Sequence, residues 1–229
     1  MRKPVVDYRQ FRFSKLNDPE FSHLKLLGGW IVYFLFYFLT ENLIPYSACH
    51  LIHSRLDDLI PFNEFFFIPY CFWYLLIVIS LGYFALYNVE NFRNLQKYII
   101  ITQVVAMTVY IVYPSIQDLR PTEFVRDNIF THLAACIYQF DTPTGVCPSL
   151  HVAYSLGIGS CWLKEKSAGK LWKAFVVFSV ILISVSTMFV KQHSAIDVLC
   201  ALPVGLLAEA LVFGKYWKAK FAGSTKKTA

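Results

Sequence analysis

The chain has 229 residues, of which 56% are hydrophobic, 17% aromatic and only 16% charged, whereas a soluble domain carries roughly 25% charged residues. That balance excludes an ordinary water-soluble globule and indicates a membrane protein. The formal charge of +6 does not indicate nucleic acid, because the basic residues alternate along the chain in a topological pattern and do not gather in one patch.

In chain order, residues 1–25 form a basic segment that interleaves Arg9 and Arg12 with Phe11 and Phe13, a composition suited to the inner membrane surface. A spanning helix needs about 20 mostly apolar residues. Six segments can be drawn, over 26–44, 66–87, 98–114, 149–163, 173–190 and 195–213. The first is too long for a secretory signal core and no small-residue cleavage site follows it, so it reads as a retained span. The aromatic runs Phe34–Phe38 and Phe65–Phe67 are expected to be lipid-facing or interfacial. The fourth segment is the weakest, because Ser, Gly and His interrupt it, and it reaches spanning length only if it runs from Pro148 to about Lys166. Residues 215–229 read as a basic tail, with disorder expected from Ala222 to Ala229. No linker or internal repeat divides 26–214, so the expectation is one all-α domain, a six-helix transmembrane bundle.

With the N-terminus in the cytoplasm, inner segments hold Arg2, Lys3, Arg9, Arg12, Lys15, Lys25, Arg93, Lys97, Lys164, Lys166, Lys170, Lys173, Lys215, Lys218, Lys220, Lys226 and Lys227. The positive-inside rule is then met by every inner loop, and both termini are cytoplasmic. Only Arg55, Arg120, Arg126 and Lys191 remain outside. The compact chain and short tails suggest a bacterial cytoplasmic membrane. Its six cysteines form no CxxC or Cys/His pattern; Cys136 and Cys147 are the pair that an oxidising outer compartment could join.

The same topology brings Arg120, Pro148-Ser149-Leu150-His151 and Lys191–Asp197 to the outer face, so His151 and His193 can meet across the bundle. His193 and Asp197 are four apart and share one face of a helix. A carboxylate there fixes the imidazole tautomer and leaves the other ring nitrogen free as an oriented nucleophile. Pro148 suits a first helical turn, and Ser149 beside the positive helix end suits an anion. His151 can protonate a leaving oxygen as general acid, a role worth roughly 10²–10⁴-fold. Arg120 offers a planar fork to phosphate oxygens, and Lys191 a second cation.

On these residues the chain resembles the type-2 phosphatidic acid phosphatase superfamily, whose motifs are KxxxxxxRP, PSGH and SRxxxxxHxxxD and whose site is shared with vanadium haloperoxidases and membrane sphingolipid synthases. Arg120-Pro121 matches the end of the first motif, with Tyr113 at its lysine position. Pro148-Ser149-Leu150-His151 matches the second with Leu for Gly, a variant similar to the inositol phosphorylceramide synthase branch. Ser186, His193 and Asp197 match the third, with Thr187 at its arginine position. The resemblance covers residues 113–197. It implies a metal-independent membrane enzyme, without cofactor, that hydrolyses a lipid phosphomonoester or diphosphate through a phosphohistidine. The alternatives are transfer of the phospho-group to a lipid hydroxyl, and non-catalytic lipid binding or transport.

Blander readings stand beside these. His151, His193 and Asp197 could bind a metal, although Ser149 and Arg120 would then be unused. His50 and His53, near Asp57 and Asp58, read as a solvated outer loop, His132 as structural and Arg126 as a loop charge. Ser149 doubles as a helix cap. The expected partners are a lipid phosphate and membrane lipids, with no nucleic acid; the sequence sets no oligomeric state.

Overall fold

The computed structural model describes residues 3–225. Among them are eight α-helices and one two-stranded parallel ribbon. Five helical stretches are long and apolar enough to cross a membrane: Ser22–Leu43, Glu64–Tyr87, Val89–Val112, Lys170–Phe189 and Ala195–Ala222. The chain is an integral membrane protein, mostly helical. Its surface is inverted accordingly, with Ile31, Phe34, Val78, Ile181, Leu206 and Leu211 exposed on the helix exteriors.

Helix α1 spans Gly28–Leu43, and the short α2 spans Arg55–Leu59, begun by a capping box between Ser54 and Asp57. Helices α3 (Phe67–Tyr87) and α4 (Val89–Val112) form a hairpin around one residue, Asn88, which ends α3 and caps α4 by accepting the Asn91 amide at 3.0 Å. Because this cap sits at Asn88, α4 takes in Arg93 and Lys97, which the sequence had assigned to a loop before residue 98. Helix α5 (Ile129–Phe140) is short and starts at a second capping box, Asn128 with Thr131.

Helix α6 covers Leu150–Lys164, about 22 Å of rise. It falls short of the five spanning helices and of the 148–166 stretch that a crossing would need. Its weak hydropathy has a physical reason: it packs against α4 and against α7 (Lys170–Phe189) and α8 (Ala195–Thr225). Val152, Ala153, Ser155, Gly157, Ile158 and Cys161 are buried on it, so α6 faces protein on most sides. The crossing is close because small residues allow it. A Cβ at Gly157 would stand 2.5 Å from the Tyr98 ring, and one at Gly205 would stand 2.9 Å from the Tyr98 hydroxyl, which itself donates to the Gly205 carbonyl at 2.9 Å.

The end of the bundle with the Asn88 turn is closed by polar ties. Buried Glu165, just past α6, accepts from the side chains of Asn88 (2.6 Å) and Asn91 (2.9 Å). The N-terminal segment folds onto this end: the Val5 amide donates to Leu86, the Tyr8 hydroxyl contacts His23 and Ala85, and Phe21 is buried. It is therefore more than a surface strip, although Phe13 stays exposed. At the C-terminus α8 continues through Lys215, Lys218 and Lys220 to Thr225, in place of the disorder expected from Ala222; residues 226–229 of that tail lie outside the described residues. Phe34, Phe36 and Phe38 are exposed as expected, but Phe67 is wholly buried with Tyr70, Ala134 and Val190.

Candidate active site

The starts of α3, α6 and α8 and the ends of α4 and α7 meet at the other end of the bundle. The α7–α8 turn is tight: the Thr187 carbonyl accepts the amides of both Gln192 (3.0 Å) and His193 (3.1 Å). Lys191 adopts a left-handed backbone with φ 53°, a conformation that costs a non-glycine residue roughly 1–2 kcal/mol. The turn reverses the chain and presents Gln192 and His193 to a cavity of about 450 Å³. Ser149 caps α6, accepting the Val152 amide, and its own amide donates to the Asp197 carbonyl at 3.1 Å. The Tyr110 hydroxyl holds the Pro148 carbonyl at 2.8 Å. Pro148 therefore lies just before the helix and not in its first turn, and the start of α6 is fixed by α4 and α8 together.

His193 stands between two partners. Its Nδ1 is 3.3 Å from Asp197 Oδ2, and its Nε2 is 3.4 Å from Nδ1 of His151. The sequence expects His193 and Asp197 on one helical face, yet α8 begins only at Ala195. Asp197 instead reaches back over the first turn, accepting the Ser194 amide at 2.8 Å as well as facing the imidazole. A carboxylate suits this position at the positive helix end. Asp197 is fully buried and His193 nearly so. His151 rests on aromatic rings, with centroids at 4.2 Å from Trp73 and 4.7 Å from Tyr70, and its Nε2 is buried without a partner.

The cavity wall is mainly aromatic, from Trp30, Tyr33, Phe34, Tyr37, Trp73, Tyr74 and Tyr154, with a polar end at Asp141, Thr142, Gln192, His151 and His193. Among the described residues no lysine or arginine lines it. Of the six residues singled out from the sequence, His151 and His193 line the cavity and Asp197 lies directly behind; Ser149, Arg120 and Lys191 do not line it.

Arg120 is one layer back. Its Nη1 donates to the carbonyls of Asp141 (2.7 Å) and Tyr138 (3.3 Å), and its Nη2 to the Thr142 carbonyl (3.1 Å) and to Gln192 Oε1 (2.5 Å); the guanidinium also lies over the Tyr138 ring at 4.7 Å. Burial lowers its pKa against the pull of Asp141, but an arginine remains a cation. Lys191 turns away from the site: its Nζ donates to the carbonyls of Asp57 (2.9 Å) and Ile60 (2.5 Å). Burial lowers this ammonium's pKa, opposed by Asp57 and Asp58. Lys191 is a tether, and its proximity in sequence to His193 does not bring its charge to the cavity. Tyr113 stacks on His50 with centroids 4.0 Å apart, and the buried Thr187 gives its hydroxyl to Ser184, so neither supplies the site with a substitute cation.

Two residues escaped the sequence reading. Asp57, read as part of a solvated loop, is 3% exposed. Its carboxylate accepts the Ser194 hydroxyl (2.6 Å), the Ala195 amide (2.8 Å), and the amide and hydroxyl of Ser54 (2.8 Å each). Burial alone would raise its pKa, but these hydrogen bonds outweigh burial and hold it below 3.8. Ser54-Arg55-Leu56-Asp57 carries the spacing of a capping box, which signals the helix start but not the long-range contact. Gln192, between two residues already chosen, fills the wall beside His193.

His53 bridges Asp58 and Asp118 at 2.8 Å each. Arg126 forms an ion pair with the buried Glu64 at 2.7 Å, so it braces the start of α3. His132 pairs with Asp127 on the surface. All six thiols are free: Cys136 is exposed on α5 while Cys147 lies beside Cys200 and Asp197, so the pair Cys136–Cys147 is not made. Among the described residues no group of three or more His, Cys, Asp or Glu side chains is placed to hold a metal ion. No family model matches the chain, and no curated protein or solved structure matches it.

Proposed function

We propose that this integral membrane protein is a lipid phosphatase of the type-2 phosphatidic acid phosphatase kind, working through a phosphohistidine without a metal. One observation carries the reading: His193 is held between a buried carboxylate on one ring nitrogen and a second histidine on the other, at the polar end of a largely aromatic cavity. With Nδ1 donating to Asp197, the Nε2 lone pair attacks phosphorus. The phosphorus–oxygen bond to the leaving group breaks, and protonated His151 gives that oxygen its proton. In the second step His151 takes a proton from water, whose oxygen bonds to phosphorus as the nitrogen–phosphorus bond breaks, releasing phosphate and free His193. A reacting phosphorus sits roughly 3–3.5 Å from its nucleophile. Nitrogens 3.4 Å apart leave no room for it between them, so the substrate moves His151 off His193 as it binds.

In the same reading α6 completes a sixth crossing, both termini are cytoplasmic and the site faces outward, an orientation that the charge distribution supports; the compact chain with short tails suits a bacterial cytoplasmic membrane. A second reading, transfer to a lipid hydroxyl, draws on the aromatic wall, which suits an apolar acceptor better than bulk water.

The test is phosphate release by the purified protein from phosphatidate, lysophosphatidate and an isoprenyl diphosphate, with and without a lipid alcohol and in strong chelator. Free phosphate supports hydrolysis, and a new phospholipid supports transfer. Neither product, or full activity in His193→Ala, would overturn the proposal; loss in chelator restored by zinc would favour a metal.

A further inference from the structure

We infer that Gln192 binds the phosphoryl group, its side-chain amide donating to a phosphoryl oxygen beside His193 and bringing the influence of Arg120 into the cavity. This rests on the phosphoryl-transfer reading above and adds to it a binding residue at a position that the third motif leaves unspecified.

Gln192 is 3% exposed and forms part of the cavity wall. A glutamine amide has one acceptor oxygen and two N–H donors. Its oxygen is already engaged, because Arg120 Nη2 donates to Oε1 at 2.5 Å. That contact also fixes which way the amide faces, since a guanidinium can only donate. Nε2 is left buried and without a partner. Buried donors in native proteins are nearly always paired, so an unmade one in a cavity wall next to a nucleophile marks the place of an acceptor that arrives with a ligand.

The surroundings make this donor rigid and polarised. The Gln192 amide is tied to the Thr187 carbonyl within the tight α7–α8 turn, so the side chain rises from a fixed backbone. Every other hydrogen bond of the Arg120 fork goes to a backbone carbonyl, of Tyr138, Asp141 or Thr142, and among the described residues no lysine or arginine lines the cavity. A cationic donor on Oε1 draws electron density from the amide and strengthens its N–H groups as donors, the cooperative effect of linked hydrogen bonds in a low-dielectric interior. Arg120 thus contributes to phosphoryl binding from behind the wall. This arrangement accounts for a site whose two motif cations are replaced by Tyr113 and Thr187, both turned elsewhere.

Two substitutions separate a donor from a mere brace for Arg120. Gln192→Glu keeps an acceptor for the guanidinium, removes the donor and sets a negative charge against the phosphoryl oxygens. Gln192→Leu removes both contacts. With the full chain purified in detergent, the measurements are kcat and KM for the preferred lipid phosphate, the inhibition constant of orthovanadate, and the melting temperature. The expected result is that both variants raise KM and the vanadate constant by about tenfold to a hundredfold, the scale of one hydrogen bond to a charged group, while Gln192→Glu melts no lower than the unaltered chain. If Gln192→Glu keeps both constants within about twofold and only Gln192→Leu is impaired, Gln192 is a brace and the inference is overturned. If the unaltered chain neither releases nor transfers phosphate from any lipid phosphate and is indifferent to vanadate, the parent reading fails and this one with it; an active parent with an unimpaired Gln192→Glu sinks this inference alone.

Discussion

Asp57 lies more than 130 residues before His193 in the chain, yet its carboxylate holds the turn on which that histidine stands. Replacing it by alanine removes the acceptor for four donors. Two of them, the Ser194 hydroxyl and the Ala195 amide, are buried and would be left unmade, at about 1–3 kcal/mol each. The two from Ser54 are half-buried and can turn to water, so the expected loss is about 2–6 kcal/mol. For a chain of 150–250 residues that is a fall in Tm of about 4 °C or more. Activity should fall further than stability requires, because a shift of about 1 Å in a catalytic group costs on the order of 10²-fold. The assays are thermal unfolding in detergent and phosphate release at a temperature where both proteins are folded. A variant that melts within 1 °C of the parent and keeps its activity would refute the reasoning. The pH dependence has a definite sign. Since the folded pKa lies below the ordinary 3.8, this stabilisation is complete above about pH 3.8 and is lost as pH falls through the folded value.

Asp197→Asn should leave the fold in place but free the imidazole to adopt the wrong tautomer, lowering phosphate release by about 10³–10⁴-fold; loss of less than tenfold would argue against an oriented His193. Gly157→Val drives side-chain atoms into the Tyr98 ring and should destabilise by about 1–3 kcal/mol, read as a lower Tm; an unchanged Tm would mean that α4 and α6 part easily. His53 donates to Asp58 and Asp118 together only as the imidazolium, and hydrogen bonds to these two carboxylates raise its pKa above 6.5. This clasp contributes fully below pH 6.5 and is lost as pH rises through the raised value. The protection factors of the amides over 116–119, that is, exchange rates normalised to the base-catalysed intrinsic rate, should therefore fall over that range in the parent and lose this fall in His53→Gln.

What the sequence made legible follows local rules. Five of the six apolar segments appear as helices of spanning length, because a lipid-facing helix is apolar over its whole length. The fourth was ambiguous for the converse reason: α6 faces protein, and Ser155, Gly157 and Gly159 serve packing there. That His151, His193 and Asp197 meet was legible because a topological argument brings these helix ends together. The directions of the cations were not legible. Lys191 is adjacent to the site in sequence, but a left-handed backbone sends its ammonium to the Asp57 and Ile60 carbonyls. Arg120 has carbonyls from three residues within reach, a long-range circumstance that no spacing reports. Asp57 and Gln192 were missed because the contacts that matter are distant in sequence, to Ser194 and Ala195 for the one and to Arg120 for the other.

The sheltered position of α6 bears on how the protein is made. A helix of 15 residues with hydroxyls, glycines and a histidine on it has little reason to leave the insertion machinery for lipid by itself. Of the helices that shelter it, α4 precedes it in synthesis, whereas α7 and α8 follow. His151 already has the rings of Tyr70 and Trp73 on α3 to rest on, but its meeting with His193 requires α8, so the candidate site is complete only when the last helices have closed over α6.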